Sequence, residues 1–372
     1  MSITLYDVAG EARVSKSTVS LVINKSNLIK EETTRKVLGA IKKLNYSPNR
    51  AAQSLVKKSI STIGLIIPHS KSVILSDPFI PEIQRGINSI TKKNKFDLLL
   101  FYFDENEKLE DPVQIYQEGR AAGFITAAPR VNDPLIAKLL SEKIPFVCIG
   151  RHQHSSAPFV DADNRNISRS VVDYLISLKH RRIALITGSF NFIPELDVLN
   201  GYKKTLKKHN IPYEEELVIG ENDITAEGGY KAAKKLLNHS SLPTAIFVAN
   251  DLMVFGVMRA IKEKGLQIPQ DISLVGYDSS LTSQVEPPLT AVASRAYDLG
   301  RVAVEILLKM IMKEKLRRKQ VILKTNLIIR NSCSTARKYL STDRRLSNDV
   351  LKHPVNIDKL QGVDSVNPKE KK

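Results

Sequence analysis

The chain has 372 residues, 56 Lys and Arg against 39 Asp and Glu, and a formal net charge of +17. That length holds two or three domains with ample core, and the charge suits a polyanionic partner. Its two cysteines, Cys148 and Cys333, lie in apolar or strand-like runs without metal spacing, and no apolar run reaches membrane-spanning length or resembles a signal peptide, so the composition excludes a disulfide-stapled scaffold, a zinc module and an integral membrane protein.

The first elements are helical. Thr4 and Asp7 stand three apart, the spacing of a reciprocal N-terminal cap, so a first helix starts near Leu5. Val8, Ala9 and Ala12 recur at helical spacing and are small enough for a second helix to pack closely; Arg13 breaks the pattern. Ser15 caps a second helix with Thr18, Val19, Leu21, Val22 and Ile23 as its apolar side and Lys16, Ser17 and Ser20 as its polar one. A third helix, about Glu31 to Leu44, carries Val37, Leu38, Ile41 and Leu44 on one face, and Asn45 is a left-handed stop. This is a helix-turn-helix pattern whose second helix would present its polar face to a major groove. Residues 1–60 hold eleven Lys and Arg against four Asp and Glu. Pro48 and Asn49 open one more helix, over Asn49–Lys57, too short to be stable alone.

Together these motifs, Thr4-Leu5-Tyr6-Asp7-Val8-Ala9, Ser17-Thr18-Val19-Ser20, Val22-Ile23-Asn24 and Asn45-Tyr46-Ser47-Pro48-Asn49-Arg50-Ala51-Ala52, resemble the LacI-type bacterial transcription regulators, and the similarity runs to about Arg330. The resemblance implies that Ser15–Asn24 enters the major groove and that the Asn49–Lys57 helix forms when two subunits sit on operator DNA. Leu55 then falls on the leucine that wedges into a minor-groove base step. The implied DNA-contacting residues are Thr4, Leu5, Tyr6, Ser15, Lys16, Ser17, Thr18, Ser20 and Asn24, with Asn49, Arg50, Ala52, Gln53 and Leu55 in the hinge. Three positions depart from the family pattern. Arg13 replaces a turn glycine or asparagine, Lys30 replaces a serine cap, and Leu21 replaces an arginine that reads a guanine edge. A leucine cannot make that bidentate contact, so an unusual operator is expected.

From Ile60 onward, short β-branched runs alternate with amphipathic helices. The strands expected are Thr62–Pro68, Asp97–Phe103, Ala122–Ala127, Pro145–Ile149, Arg182–Thr187, Leu217–Gly220, Thr244–Ala249 and Ile272–Gly276. The helices between them are Pro81–Lys93, Pro134–Glu142, Ile167–Leu178, Leu199–His209, Ala226–Leu237 and Leu252–Lys264, with a last one over Ala296–Lys315. Such alternation makes right-handed βαβ units and parallel sheets. The fold class is therefore α/β, with an all-α helix-turn-helix head. The resemblance implies a periplasmic-binding-protein-like body of two lobes, with crossovers near Val160–Asp163, Ser279–Ala291 and Val321–Leu327. The expected division is residues 1–46 for the DNA-binding domain, 47–60 for hinge helix and linker, and 61–332 for the effector-binding and dimerisation domain. Lobe 1 takes about 61–160 and 291–321, lobe 2 about 162–289 and 326–332. Residues 333–372 read as a flexible tail without a seven-residue leucine rhythm.

Ligands of open α/β sheets bind beyond the carboxyl ends of the strands. Asn250 and Asp278 occupy such positions, although an Asn or Asp there also caps the next helix. The resemblance makes both effector contacts and adds Phe79 as an aromatic near the ligand; position at a strand end and at the crossover adds Arg151, and Asp163 or Asn164, as polar partners. Val198 stands where many sugar-binding members carry arginine. The function expected is a sequence-specific, homodimeric regulator of a pseudo-palindromic double-stranded operator, a repressor gated by a sugar or sugar derivative between the lobes. It needs no cofactor or metal, is not an enzyme, and acts in the cytoplasm on the nucleoid. No phosphate loop, metal spacing or nucleophile elbow suggests otherwise. The alternatives are an exported or cytoplasmic sugar-binding protein without regulatory DNA binding, and a regulator controlled by a protein partner or a nucleobase.

Overall fold

The computed structural model describes residues 3–23, 28–46, 60–67, 77–102, 111–153, 156–278 and 282–337. The chain divides into an N-terminal unit, Met1–Ser61, and a body beginning at Thr62.

The described residues of the first unit hold three helices, α1 (Leu5–Ala12), α2 (Lys16–Ile23) and α3 (Glu31–Lys43). The Thr4 N–H and hydroxyl both donate to Asp7 Oδ2 at 2.7 Å, closing the expected N-terminal cap, and these bonds hold the Asp7 carboxyl below its ordinary pKa. Ser15 Oγ accepts from the Thr18 N–H at 3.1 Å and starts α2. Val8, Ala9, Ala12, Val19, Val22, Val37 and Ala40 form the core. Arg13 sits in the left-handed region at φ 52° and ends α1, and Asn45 does the same after α3 at φ 49°. Lys30 precedes α3 without a side-chain cap. Two apolar assignments change: Leu38 is 53% exposed and Leu21 38% exposed. The inward line of α3 runs through Val37, Ala40, Ile41 and Leu44, and a residue one step from Val37 is rotated by about 100° out of that stripe.

In the body, strands β1 (Thr62–Ile67), β2 (Asp97–Tyr102), β3 (Phe124–Ala127), β4 (Phe146–Ile149) and β5 (Phe159–Asp161) are interleaved with α4 (Phe79–Asn94), α5 (Pro112–Gln117) and α6 (Pro134–Ser141). The second half runs α7 (Asn164–Ser177), β6 (Ile183–Gly188), α8 (Ile193–Lys208), β7 (Val218–Glu221), α9 (Ala226–Leu237), β8 (Ala245–Val248), α10 (Met253–Glu263), β9 (Ser273–Asp278) and β10 (Thr290–Ala293). It ends with α11 (Ala296–Ile311), β11 (Gln320–Ile322) and β12 (Leu327–Ile328). The described strands form two six-stranded sheets, ordered β11-β5-β4-β3-β1-β2 and β12-β10-β9-β8-β6-β7. All pairings are parallel except β10 with β12. Apolar clusters cover both faces of each sheet, which is why β1 and β6 read as nearly continuous aliphatic runs rather than alternating ones.

The two-lobed parallel architecture is the one expected, and α11 returns to lobe 1, packing Leu299, Ala303 and Leu307 against Ile63 and Ile83. Gly86 and Gly300 leave no room for a Cβ where α4 and α11 cross, so their backbones approach directly. Details differ. Strands β5, β10, β11 and β12 were expected as crossover chain; each is only two to four residues long, too few for a periodic signal. Thr290–Ala293 belongs to the second sheet, so the crossover expected to end at Ala291 follows Ala293 instead. Helix α8 begins six residues before Leu199, with Pro194 accepted in its first turn.

The expected tail beginning at Cys333 is also corrected. Residues 333–337 pack on lobe 2: Ala336 is buried and donates its N–H to the Leu178 carbonyl at 3.0 Å. The Ser334 N–H donates to Ser273 Oγ at 3.0 Å, and Arg337 pairs with Asp271. Cys148 is fully buried and unpaired, its thiol pushed up to about 12 by desolvation.

Candidate functional site

Both sheets point the carboxyl ends of their parallel strands at one cleft, as the rule for open α/β sheets requires. A cavity of about 180 Å³ lies there, lined from lobe 1 by Asp77, Phe79, Gly150 and Asp161 and from lobe 2 by Glu195, Asn222, Asn250, Asp251 and Tyr277. The crossover residues Ala162, Asn164, Ser294 and Arg295 complete it. The cavity is thus built on the chain segments that would bend if the lobes moved.

Of the expected effector contacts, three line this cavity. Phe79 opens α4 at its mouth, Asn250 follows β8, and Asn164 opens α7. Asn250 Oδ1 also accepts from the Leu252 and Met253 N–H groups, at 2.9 and 3.1 Å. The residue therefore caps the next turn and lines the site at once, keeping its Nδ2 as a donor. Arg151 and Asp163 are not lining residues. Arg151 is drawn across to Asp197 on α8, with its Nη2 at 2.6 Å and Nε at 3.1 Å from Oδ2. Asp163 occupies the N-cap position of α7 at φ 51° and accepts from Asn166 Nδ2 at 2.5 Å. The backbone of Asp278 ends β9 opposite Ala293; its side chain lies outside the description. Val198 is buried in the lobe 2 core and is not among the lining residues.

Sequence reasoning missed the acids. Asp161 ends β5 and is 2% exposed; its Oδ1 accepts from Asn164 Nδ2 at 3.2 Å, whereas Oδ2 has no hydrogen-bond partner. Burial pushes its carboxyl up to about 6, against the pull of Arg151. Glu195, in the first turn of α8, accepts from Thr187 Oγ1 at 3.0 Å and is pushed up to about 7 by desolvation. Asp77 is raised too, again by burial. The usable signal was position: Asp161 is the last residue of β5, and Glu195 stands in the first turn of the helix that follows β6.

In the head, Tyr6, Lys16 and Ser17 form an exposed polar surface, where Lys16 Nζ lies 4.7 Å from the Tyr6 ring centroid. Leu21 is exposed as well. Thr4 and Ser15 are exposed and also serve as caps; Leu5, Thr18 and Ser20 are half-buried. Asn24, Asn49, Arg50, Ala52, Gln53 and Leu55, and with them the expected hinge helix, lie outside the described residues.

Residues 4–49 match the family described as "Bacterial regulatory proteins, lacI family", and residues 172–333 match the periplasmic binding protein-like domain. Catabolite control protein A of Priestia megaterium is 34% identical over 318 residues, which is 84% of this chain and 94% of that protein. The chain belongs to the LacI family. The ribose operon repressor of Escherichia coli K12, another LacI-type protein, is 33% identical over 340 residues, 88% of this chain and 99% of its own length. Among solved structures, the lac repressor dimer bound to operator and the anti-inducer ONPF superposes with a TM-score of 0.80 at 29% identity, covering 90% of this chain and 100% of that one. The complex of the regulator CelR with cellobiose gives 0.66 at 29% identity over 89% and 99%. As a LacI-family member the chain is a DNA-binding transcription regulator, with a helix-turn-helix head and a two-lobed body. No described helix is long and apolar enough to cross a membrane.

Proposed function

We propose that this chain is a homodimeric repressor of a pseudo-palindromic operator, acting in the cytoplasm, whose DNA affinity is set by a small hydroxylated effector in the interlobe cavity. The observation that carries this reading is the cavity itself, which draws its lining from both lobes and from two of the crossovers that join them. A ligand touching both lobes has different contacts in different lobe placements, and an equilibrium moves only by that difference in binding free energy. Two heads reading two half-sites explain why a dimer is needed. The DNA contacts assigned to Tyr6, Lys16 and Ser17, and to the hinge through Leu55, belong to the same proposal. Cellobiose is the ligand of the solved CelR complex, and a ribose complex is known for the Enterococcus faecium family member; both support a carbohydrate-like effector here.

The test is operator binding by the full-length protein at graded salt, with and without small sugars. Sequence-selective binding with a steep salt slope is expected, because phosphate contacts release counterions. Equal affinity for operator-like and scrambled DNA at moderate salt would overturn the regulator reading.

A further inference from the structure

The cavity has a charge imbalance. Asp77, Asp161, Glu195 and Asp251 all line it, and Arg295 is the one cationic side chain among its described lining residues. Arg295 is already committed: its Nε donates to Asp298 Oδ2 at 3.0 Å and its Nη1 to the Lys324 carbonyl at 3.1 Å. Arg151 stays 3.9 Å from Asp161 Oδ2, its guanidinium held by Asp197 at 2.6 Å. Asp161 is therefore a carboxylate nine-tenths buried, lining a cavity, with one oxygen that accepts no hydrogen bond and meets its nearest ion-pair partner only at 3.9 Å. Burial first, and then the nearby charges of Glu195, Asp251 and Asp161, push the Tyr277 hydroxyl upward in the same lining. Buried carboxylates without cations are costly, and neutral hydroxyls satisfy their lone pairs without cancelling their charge. Phe79 and Phe192 add aromatic rings to the same lining, a surface that favours cations over anions.

We infer that the effector is a hydroxylated amine of the amino-sugar class, whose ammonium donates to Asp161 Oδ2 in the field of Glu195 and Asp251. This rests on the proposal that the cavity is the effector site, and it names the effector's charge. It also excludes sugar phosphates and sugar acids, whose anionic groups would meet the acids with no described cation released to receive them. The raised carboxyls of Asp161 and Glu195 agree with a site that waits for a positive charge.

The experiment is calorimetric titration of the full-length protein with glucosamine, galactosamine and mannosamine, each beside its parent hexose, its N-acetyl derivative and its 6-phosphate. At least one amine is expected to bind about tenfold or more tightly than its parent and its N-acetyl form, as a charge-assisted hydrogen bond requires. Asp161→Asn should abolish that preference. The same substitution should raise the melting temperature of the unliganded protein, because Asn keeps the acceptor for Asn164 and removes a buried charge that Arg151 reaches only at 3.9 Å. No amine preference in any matched set, tighter phosphate binding, or a melting temperature lowered or unchanged by Asp161→Asn overturns the inference. A neutral sugar that binds and shifts operator affinity would overturn it while preserving the proposed function. A ligand of any charge that binds in the cavity without changing operator affinity would instead defeat the proposed function.

Discussion

Arg151 and Asp197 join the two lobes by an ion pair in which Nε and Nη2 both donate to Oδ2, the guanidinium leaving the end of β4 in lobe 1 and the carboxylate standing on α8 in lobe 2. Asp197 is 3% exposed and shares its other oxygen with Arg165 Nε at 2.6 Å. Nearby, the Val131 N–H donates to the Asn191 carbonyl at 2.8 Å and the Ile193 N–H to the Pro129 carbonyl at 3.1 Å, a second tie across the same cleft. A buried carboxylate that loses a partner costs about 3–5 kcal/mol, and the remaining Arg165 reduces that here. Arg151→Ala is therefore expected to lower stability by roughly 1–3 kcal/mol in urea unfolding. Because this pair spans the two lobes and Arg165–Asp197 does not, the variant should also change the effector's influence on operator affinity more than Arg165→Ala does, measured as the ratio of operator affinities with and without ligand.

Glu195 makes stability fall as pH rises. Its carboxyl has an ordinary value of 4.5 and is held at about 7 by burial, so between these values the folded chain binds a proton that the unfolded chain has lost. For this group stability is fullest below about pH 4.5 and is lost through pH 7. Thr187 and Tyr277 are the groups that face it. Glu195→Gln keeps the acceptor for Thr187 and removes the charge. It should stabilise the unliganded protein at pH 8 by on the order of 1–3 kcal/mol, with solvent in the cavity reducing the figure, and have little effect at pH 5. Paired thermal melts of wild type and variant at both pH values give the answer, and equal shifts at the two would show that Glu195 is not buried as a charge.

His180 acts in the opposite direction. It is 2% exposed, with Nδ1 2.9 Å from Thr244 Oγ1 and Nε2 3.0 Å from both Ser273 Oγ and the Ser334 carbonyl. Desolvation lowers its pKa from 6.5 to about 4, so the unfolded chain binds the extra proton between those values and stability is lost as pH falls through that window. The same ring anchors residues 333–337. Deleting 333–372 should therefore lower the melting temperature relative to deleting 338–372, and His180→Gln should flatten the acid limb of the stability profile between pH 6.5 and 4.

The sequence made lobes and caps legible because those depend on local chemistry. Thr4, Asp7 and Ser15 cap through bonds three residues away, and β1, β6 and β8 are aliphatic runs that need burial on both faces. What stayed hidden depends on partners far along the chain. Arg151 beyond β4 looks like a ligand donor until Asp197, 46 residues later, takes its guanidinium. Asp161 resembles any acid ending a strand; that one of its oxygens accepts no hydrogen bond emerges only when the cavity closes around it. Residues 333–337 look like the start of a polar tail because their partners, His180, Ser273, Asp271 and the Leu178 carbonyl, lie 60 to 150 or so residues earlier.

Arg13 and Lys30 leave the head less stable than its fold allows. Arg13 holds φ 52° at the end of α1 so that the Val14 N–H can reach the Ala9 carbonyl at 3.0 Å, a conformation costing an L-residue with a Cβ roughly 1–2 kcal/mol. Asparagine tolerates it through local hydrogen bonding, whereas glycine would lose part of the gain to the entropy of the unfolded chain. Lys30 precedes α3 with no side chain to accept the first N–H groups, and a serine there is worth about 1 kcal/mol. Arg13→Asn and Lys30→Ser stand at separate ends of the three-helix unit, so their effects should add to about 1–2 kcal/mol. Amide exchange in α1 and α3 of the full-length protein measures the gain directly as increased protection, while exchange in the body should stay unchanged. If Arg13→Asn alone slowed no amide in α1, the left-handed conformation at Arg13 would carry no net cost.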